Sequence, residues 1–122
     1  MINDTFVFDT YAILEIISGN ENYKSYLNSR IIINNFIFAE LCYKLFREKA
    51  PKAEEYIKKY SKFIQSVNPD TIKEAMLFRI NNKSKNLSMA DCISYIMSLR
   101  LQIKFLTGDK EFENLNNVEF VK

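Results

Sequence analysis

The chain has 122 residues, 48% of them hydrophobic, with 17 Lys and Arg against 15 Asp and Glu. That length suits one domain over 1–122 with a core that needs no disulfide or structural metal, and two Gly and two Pro exclude collagen-like and disordered compositions. A net charge of +2 permits nucleic-acid binding without arguing for it, while the absence of histidine removes Ser-His-Asp, Cys-His and paired-histidine chemistry.

In chain order, Thr5-Phe6-Val7-Phe8 is β-branched and aromatic on both faces, as a buried parallel strand would be, and it ends at Asp9. Residues 10–18 take helical spacing, with Ala12, Ile13, Ile16 and Ile17 on one face and Gly19 as the stop. A short helix is expected over 23–27 and a second strand over 30–33. Asn34 and Asn35 suit a helix cap before a long helix over 36–49 that stops near Pro51. Pro51 fits the first turn of a helix over 52–64, and residues 65–67 read as a short third strand.

Pro69 and Asp70 open a helix to residue 79 or 80, which gives way to a polar stretch over 81–86. Ser88 caps a helix over 89–101. Residues 103–106 form a fourth strand ended by Thr107-Gly108-Asp109, and after a short helical segment residues 118–121 add a fifth at the edge. Strands alternating with helices predict an α/β domain: a central parallel sheet of four to five strands flanked by helices.

Cys42 and Cys92 form no CxxC or CxxH pattern, so free thiols in a reducing compartment are expected rather than a zinc site. Met1-Ile2-Asn3-Asp4 carries no basic segment leading into an apolar one. No apolar run approaches the roughly 20 residues that span a bilayer. The expectation is a soluble cytoplasmic domain without a membrane partner.

Most acids share polar helix faces with lysines, as Glu54, Glu55 and Glu74 do, and read as solvated surface. Four do not. Asp9 directly follows the first strand and Asp109 stands in the same relation to the fourth; in open α/β sheets, ligands bind beyond the carboxyl ends of strands where the order of connections reverses. Each also has a structural reading, Asp9 as a helix N-cap and Asp109 as a turn or cap residue after Gly108. Asp91 lies three residues after Ser88, where the helix dipole favours a carboxylate. Yet Ala90, Cys92, Ile93, Tyr95 and Ile96 make that helix apolar most of the way round, which implies partial burial of the charge. Function and structure weigh evenly there.

Glu40 is the most anomalous acid, with Phe36, Ile37, Tyr43 and Lys44 as its helical neighbours. An internal pair with Lys44 contributes only a few tenths of a kcal/mol, which does not offset burial of a carboxylate; a metal would. Four carboxylates within a few Å would raise each other's pKa. Divalent cations remove that repulsion, hard oxygen ligands select Mg²⁺ or Mn²⁺, and two such ions about 4 Å apart can carry a phosphodiester displacement.

Four stretches resemble the PIN-domain nucleases and, within them, the compact VapC-type toxins of toxin-antitoxin pairs: Phe6-Val7-Phe8-Asp9-Thr10, Ala39-Glu40-Leu41, Leu87-Ser88-Met89-Ala90-Asp91-Cys92 and Leu106-Thr107-Gly108-Asp109-Lys110-Glu111-Phe112. Order, spacing and length agree over nearly the whole chain, and "LSMAD" and "LTGDKEF" are the most specific parts. The resemblance implies a Rossmann-like sheet with an acidic pocket at its carboxyl edge and Mg²⁺- or Mn²⁺-dependent endonucleolytic cleavage of RNA. Carried over residue by residue, it makes Asp9, Glu40, Asp91 and Asp109 metal ligands, Asp109 often acting through water. It places Thr107, and Thr10 with it, beside the pocket to orient water or substrate. It further implies a homodimer and a cognate antitoxin that holds the toxin inactive with a basic side chain. Two departures stand out: Tyr11 replaces a more usual small polar residue at the pocket mouth, and Glu113 is either a further ligand or a surface acid.

Under this reading, water activated at the metal attacks phosphorus and no side-chain base is required. Lys83 and Lys85 before Asp91, Lys110 beside Asp109, and Arg47 beyond Glu40 are the candidate RNA contacts, with solvated surface as the competing reading of each. Three alternatives remain: a PIN nuclease of RNA processing, a catalytically silent RNA- or partner-binding module, and a haloacid-dehalogenase-like phosphatase. The last needs an acid where Tyr11 stands.

Overall fold

Val7, Phe8, Phe105 and Leu106 have no exposed surface, and they lie on two strands that pair side by side at the centre of the molecule. The computed structural model describes residues 4–122; Met1 to Asn3, where a leader was sought, lie outside the described residues. Strand β1 (Thr5–Phe8) leads into helix α1 (Thr10–Ser18), a 3-10 helix (Glu21–Tyr26) and β2 (Arg30–Ile32). Helices α2 (Asn35–Arg47), α3 (Ala53–Ser61), α4 (Pro69–Asn81) and α5 (Met89–Leu101) follow, then β3 (Lys104–Thr107), a 3-10 helix (Lys110–Phe112) and β4 (Val118–Phe120). The sheet is parallel throughout, in the order β2-β1-β3-β4.

Alternation along the central strands decides which helices cover which face. Phe6, Phe8 and Leu106 pack with Ala12 and Ile13 of α1, Ile37, Leu41 and Leu45 of α2, and Tyr60 of α3. Val7 and Phe105 pack with Ala75 of α4, with Cys92, Ile93, Tyr95 and Ile96 of α5, and with Phe112. Burial on both faces is why these strands read as continuous apolar runs. The expected α/β architecture holds, with four strands.

The expected punctuation largely forms. Gly19 ends α1 at φ 82°, Ser88 caps α5, and the Asn34 carboxamide oxygen accepts from the backbone N–H of Phe36 at 3.0 Å and of Ile37 at 2.9 Å. Its amide group donates to Ser94 Oγ at 3.0 Å, which fastens the start of α2 to α5. Asn68, unremarked in the sequence, caps α4 through the Thr71 N–H.

Three expectations fail. Residues 65–67 do not form a strand: a single bridge joins Ile33 to Ile64, and Gln65 N–H donates to Ile33 O at 2.8 Å. Gln65 and Ser66 are exposed and have nothing apolar to bury, and the chain must reach the Asn68 cap almost at once. Pro51 lies before α3 rather than in its first turn. Lys52 adopts φ 62° at the N-cap because the chain reverses tightly after α2, with Ala50 N–H bonded to Leu45 O. The same helix ends at Ser61 instead of running to residue 64, since the Phe63 carbonyl accepts the Ile33 N–H at 3.1 Å.

Candidate metal centre

The strand order reverses between β1 and β3: the chain leaves β1 for β2 on one side and later returns to β3 on the other. Asp9 N–H donates to Leu106 O at 3.0 Å, so the exits of both strands are locked together. The acidic pocket opens at this switch point, as expected for a doubly covered parallel sheet. It is a cavity of about 440 Å³ whose walls include Asp9, Glu40, Asp91 and Asp109.

Asp9 occupies the N-cap position of α1, but its side chain caps nothing. Its Oδ2 instead accepts from Thr107 Oγ1 at 2.7 Å, and the residue is only 3% exposed. Glu40, half-buried on α2, takes a hydrogen bond on each oxygen: Thr10 Oγ1 donates to Oε1 at 2.8 Å and Ser88 Oγ to Oε2 at 3.2 Å. The alternative pairing with Lys44 does not form. Among the described residues the ion pairs are Arg47–Glu48, Arg100–Glu74 and Lys104–Glu119.

Asp91 realises its structural reading. Its Oδ2 accepts the Ser88 N–H at 2.9 Å while its own N–H donates to Ser88 Oγ at 3.0 Å, a reciprocal capping box. It also faces the other acids. Asp9, Glu40 and Asp91 each offer a carboxylate oxygen, and these three atoms lie within 4.8 Å of one another. Three different elements thus converge on one point.

Asp109 lines the same pocket but stands outside that triad. Its Oδ1 accepts the Glu111 N–H at 3.0 Å, so the capping reading is realised, and its own N–H donates to Thr107 Oγ1 at 3.0 Å. Thr107, fully buried, therefore links the two strand-end acids through one hydroxyl. Gly108 between them has no substitute: a Cβ there would collide with the Val121 carbonyl oxygen and the Tyr11 ring. Tyr11 does line the pocket.

Burial pushes the Asp9 carboxyl up to about 8; the Asp91, Glu40 and Asp109 charges add to the rise, and the Thr107 hydrogen bond opposes it. Burial likewise raises Asp91 to about 6, against the Ser88 hydrogen bonds and with the charges of Glu40 and Asp109. The donor set fits a hard divalent cation. All three groups are carboxylates whose oxygens lie close together, and none is in an ion pair with a side chain among the described residues, so they would hold Mg²⁺ or Mn²⁺ through hard oxygen ligands.

Among the expected substrate contacts, Thr10 spends its hydroxyl on Glu40. Lys83 and Lys85 line a second cavity that adjoins the acids. Lys110 is exposed next to Asp109. Arg47 is paired with Glu48 and lies over the Tyr43 ring, away from the pocket. Glu113 is exposed, as its surface reading holds. Cys42 and Cys92 are free thiols. Among the described residues, no helix is long and apolar enough to cross a membrane.

Sequence reading overlooked four pocket residues: Arg79, Asn86, Lys44 as a wall rather than a partner, and Ser88 as a donor to Glu40. Only Ser88 carried a signal, since a cap three residues before a suspect acid necessarily lies at the same site.

The PIN domain family model matches residues 6–118. No curated protein matches the sequence. Among solved structures, VapC20 of Mycobacterium tuberculosis, described as a sarcin-ricin loop cleaving toxin, aligns at TM-score 0.79 with 15% identity, covering 98% of this chain and 100% of that one. A toxin-antitoxin complex from Klebsiella pneumoniae aligns at TM-score 0.75 with 19% identity, covering 93% and 94%. VapBC-1 from nontypeable Haemophilus influenzae aligns at 0.65 with 15% identity, covering 95% and 96%. At these identities the likeness establishes the fold.

Proposed function

Because this chain belongs to the PIN domain family, we propose that it is an Mg²⁺- or Mn²⁺-dependent endoribonuclease, the toxin of a toxin-antitoxin pair, with 1–122 as its nuclease domain. The observation that carries this reading is the convergence of Asp9, Glu40 and Asp91, three carboxylate oxygens within 4.8 Å that no cationic side chain among the described residues pairs with. Asp9 and Asp91 are the principal ligands, Glu40 completes the set, and Asp109 acts from the rim with the one oxygen it does not spend on Glu111. When bound, a divalent cation supplies activation of water for attack on phosphorus and neutralises charge on the leaving oxygen.

The protein's own part is orientation. Thr107 holds the Asp9 carboxylate, Thr10 and Ser88 hold both oxygens of Glu40, and the Ser88 N–H holds Asp91, so each ligand arrives with one direction fixed. Lys83, Lys85 and Lys110 attract the RNA backbone, and Arg47 contributes at most at long range.

The toxin assignment is supported by relatives of this fold described as toxins or as toxin-antitoxin complexes. An antitoxin with a basic side chain over the acids, a homodimeric state and a cytoplasmic setting in which both thiols stay reduced belong to the same reading. Mn²⁺ titration and cleavage of total RNA test it with the wild type, Asp9→Asn and Asp91→Asn. The expected outcome is metal binding and discrete cleavage by the wild type alone; full activity in either variant sinks the assignment. Induced expression in bacteria with sequencing of RNA ends then reads growth arrest and target together.

A further inference from the structure

The polar stretch between α4 and α5 is a tied structure rather than a loose loop. Asn82 Nδ2 donates to Phe78 O at 2.9 Å, Lys85 N–H to Asn82 O at 2.9 Å and Leu87 N–H to Lys85 O at 3.0 Å. From outside, Asn86 N–H donates to Glu111 Oε1 at 2.9 Å, Lys85 Nζ to Glu111 O at 3.4 Å and Arg79 Nε to Leu87 O at 3.1 Å. These bonds shape a cavity of about 450 Å³ with Arg79, Lys83 and Lys85 in its walls and Met76, Ile80 and Leu87 as its apolar lining. The cavity shares Arg79, Asn86 and Leu87 with the acidic pocket, so the two are continuous. None of the three cations is in an ion pair among the described residues, although a cluster of acids sits next to them.

We infer that this groove seats the nucleotide adjoining the scissile bond, with its phosphate on Arg79, Lys83 and Lys85 and its sugar or base against Met76 and Ile80. The inference rests on the ribonuclease reading and assigns the side of the pocket along which RNA runs. An RNA strand crossing a cluster of acids is repelled except where cations offset its flanking phosphates, and this is the wall where unpaired cations gather. Arg79 is suited to the role because its Nε is already fixed to a carbonyl, which leaves the outer nitrogens aimed and free to fork onto an anion. A cavity of this size accepts a nucleotide-sized group. The lining has no aromatic ring on which a base could stack, so the groove holds the backbone without reading sequence. Arg47 lines neither cavity and falls outside the path.

The test measures binding of a fluorescein-labelled single-stranded RNA dodecamer in the non-cleaving Asp9→Asn background. Adding Arg79→Gln, Lys83→Gln and Lys85→Gln together should weaken binding about tenfold at 0.15 M salt and lower the slope of log K against log salt by about 2, at about 0.7 for each phosphate no longer neutralised. Lys83→Gln with Lys85→Gln keeps the Arg79–Leu87 bond and should lower the slope by about 1.4, which covers the case of a triple variant that folds poorly. Lys58→Gln with Lys62→Gln, both exposed and lining neither cavity, should leave it unchanged. In the cleaving protein the groove variants should raise KM about tenfold with kcat within about twofold. Cleavage with unaltered KM and slope overturns the groove alone; a wild type that does not cleave RNA with Mn²⁺ overturns the ribonuclease reading instead.

Discussion

Asp9 and Asp109 occupy matching positions, each just past a central parallel strand and each at the N-cap of the helical turn that follows. Their side chains do opposite things. Asp109 spends Oδ1 on the Glu111 N–H, while Asp9 leaves its helix uncapped and turns into the pocket against Thr107. The difference teaches that a strand-end acid becomes a ligand candidate when no local donor claims it. The energy left unmade at the cap of α1 and the burial that pushes Asp9 up to about 8 are both costs the fold accepts to hold a carboxylate there.

The widest test of that contrast is cleavage. Asp9→Asn is expected to lower metal-dependent RNA cleavage by at least about 10³-fold, and Asp109→Asn by only about tenfold, since Asn keeps the cap and loses a rim charge. Equal losses, read as initial rates at saturating Mn²⁺, would erase the distinction.

Stability against pH comes next. Asp9 binds its proton more tightly folded, at about 8, than unfolded, at the ordinary about 3.9. The metal-free protein therefore loses stability as pH rises from about 4 through 8. Asp9→Asn should relieve that loss, stabilising the metal-free protein on the order of a few kcal/mol at pH 9 and negligibly at pH 4 in urea melts. Mg²⁺ should flatten the wild-type profile in the same way, and its uptake at pH 7 should release protons that calorimetry in two buffers detects. A wild-type profile rising over this window would contradict the assigned burial.

Thr107→Val removes the hydroxyl that joins the two acids. It leaves Asp9 Oδ2 and the Asp109 N–H without their shared partner, an expected loss of about 1–3 kcal/mol. The pH profile of cleavage should move alkaline, because the hydrogen bond that lowers the Asp9 pKa is gone; Thr107→Ser should restore it. The smallest effect belongs to Asp109→Ala, about 1 kcal/mol for the lost cap and visible as a modest fall in Tm.

Much of the pocket was legible because strand ends and helix starts carry their own punctuation. Asp9 after Phe8, Ser88 three residues before Asp91, and Glu40 among aromatic neighbours stood out without coordinates. The structural readings were equally legible and turned out to be divided: capping is true of Asp109 and Asp91 and false of Asp9. No local pattern separates those cases, since all three acids sit at helix starts. The lapses at residues 65–67 and Pro51 have a related cause. Both lie where the chain reverses: the route at 65–67 is set by distant Ile33, and the one at Pro51 by how α2 ends, with Ala50 N–H bonded to Leu45 O.

The sequence by itself determined the parallel α/β order, the caps at Asn34 and Ser88 and which acids were out of place, because periodicity and capping act over a few residues and leave a local trace. Only the tertiary structure decided that three acids from three elements share one point while the fourth is held at the rim. It alone placed Arg79 and the tied loop 81–86 beside them. Those outcomes depend on how β1 and β3 lock at the switch point and on which donors reach a carboxylate across about 100 residues of chain, as Thr107 reaches Asp9.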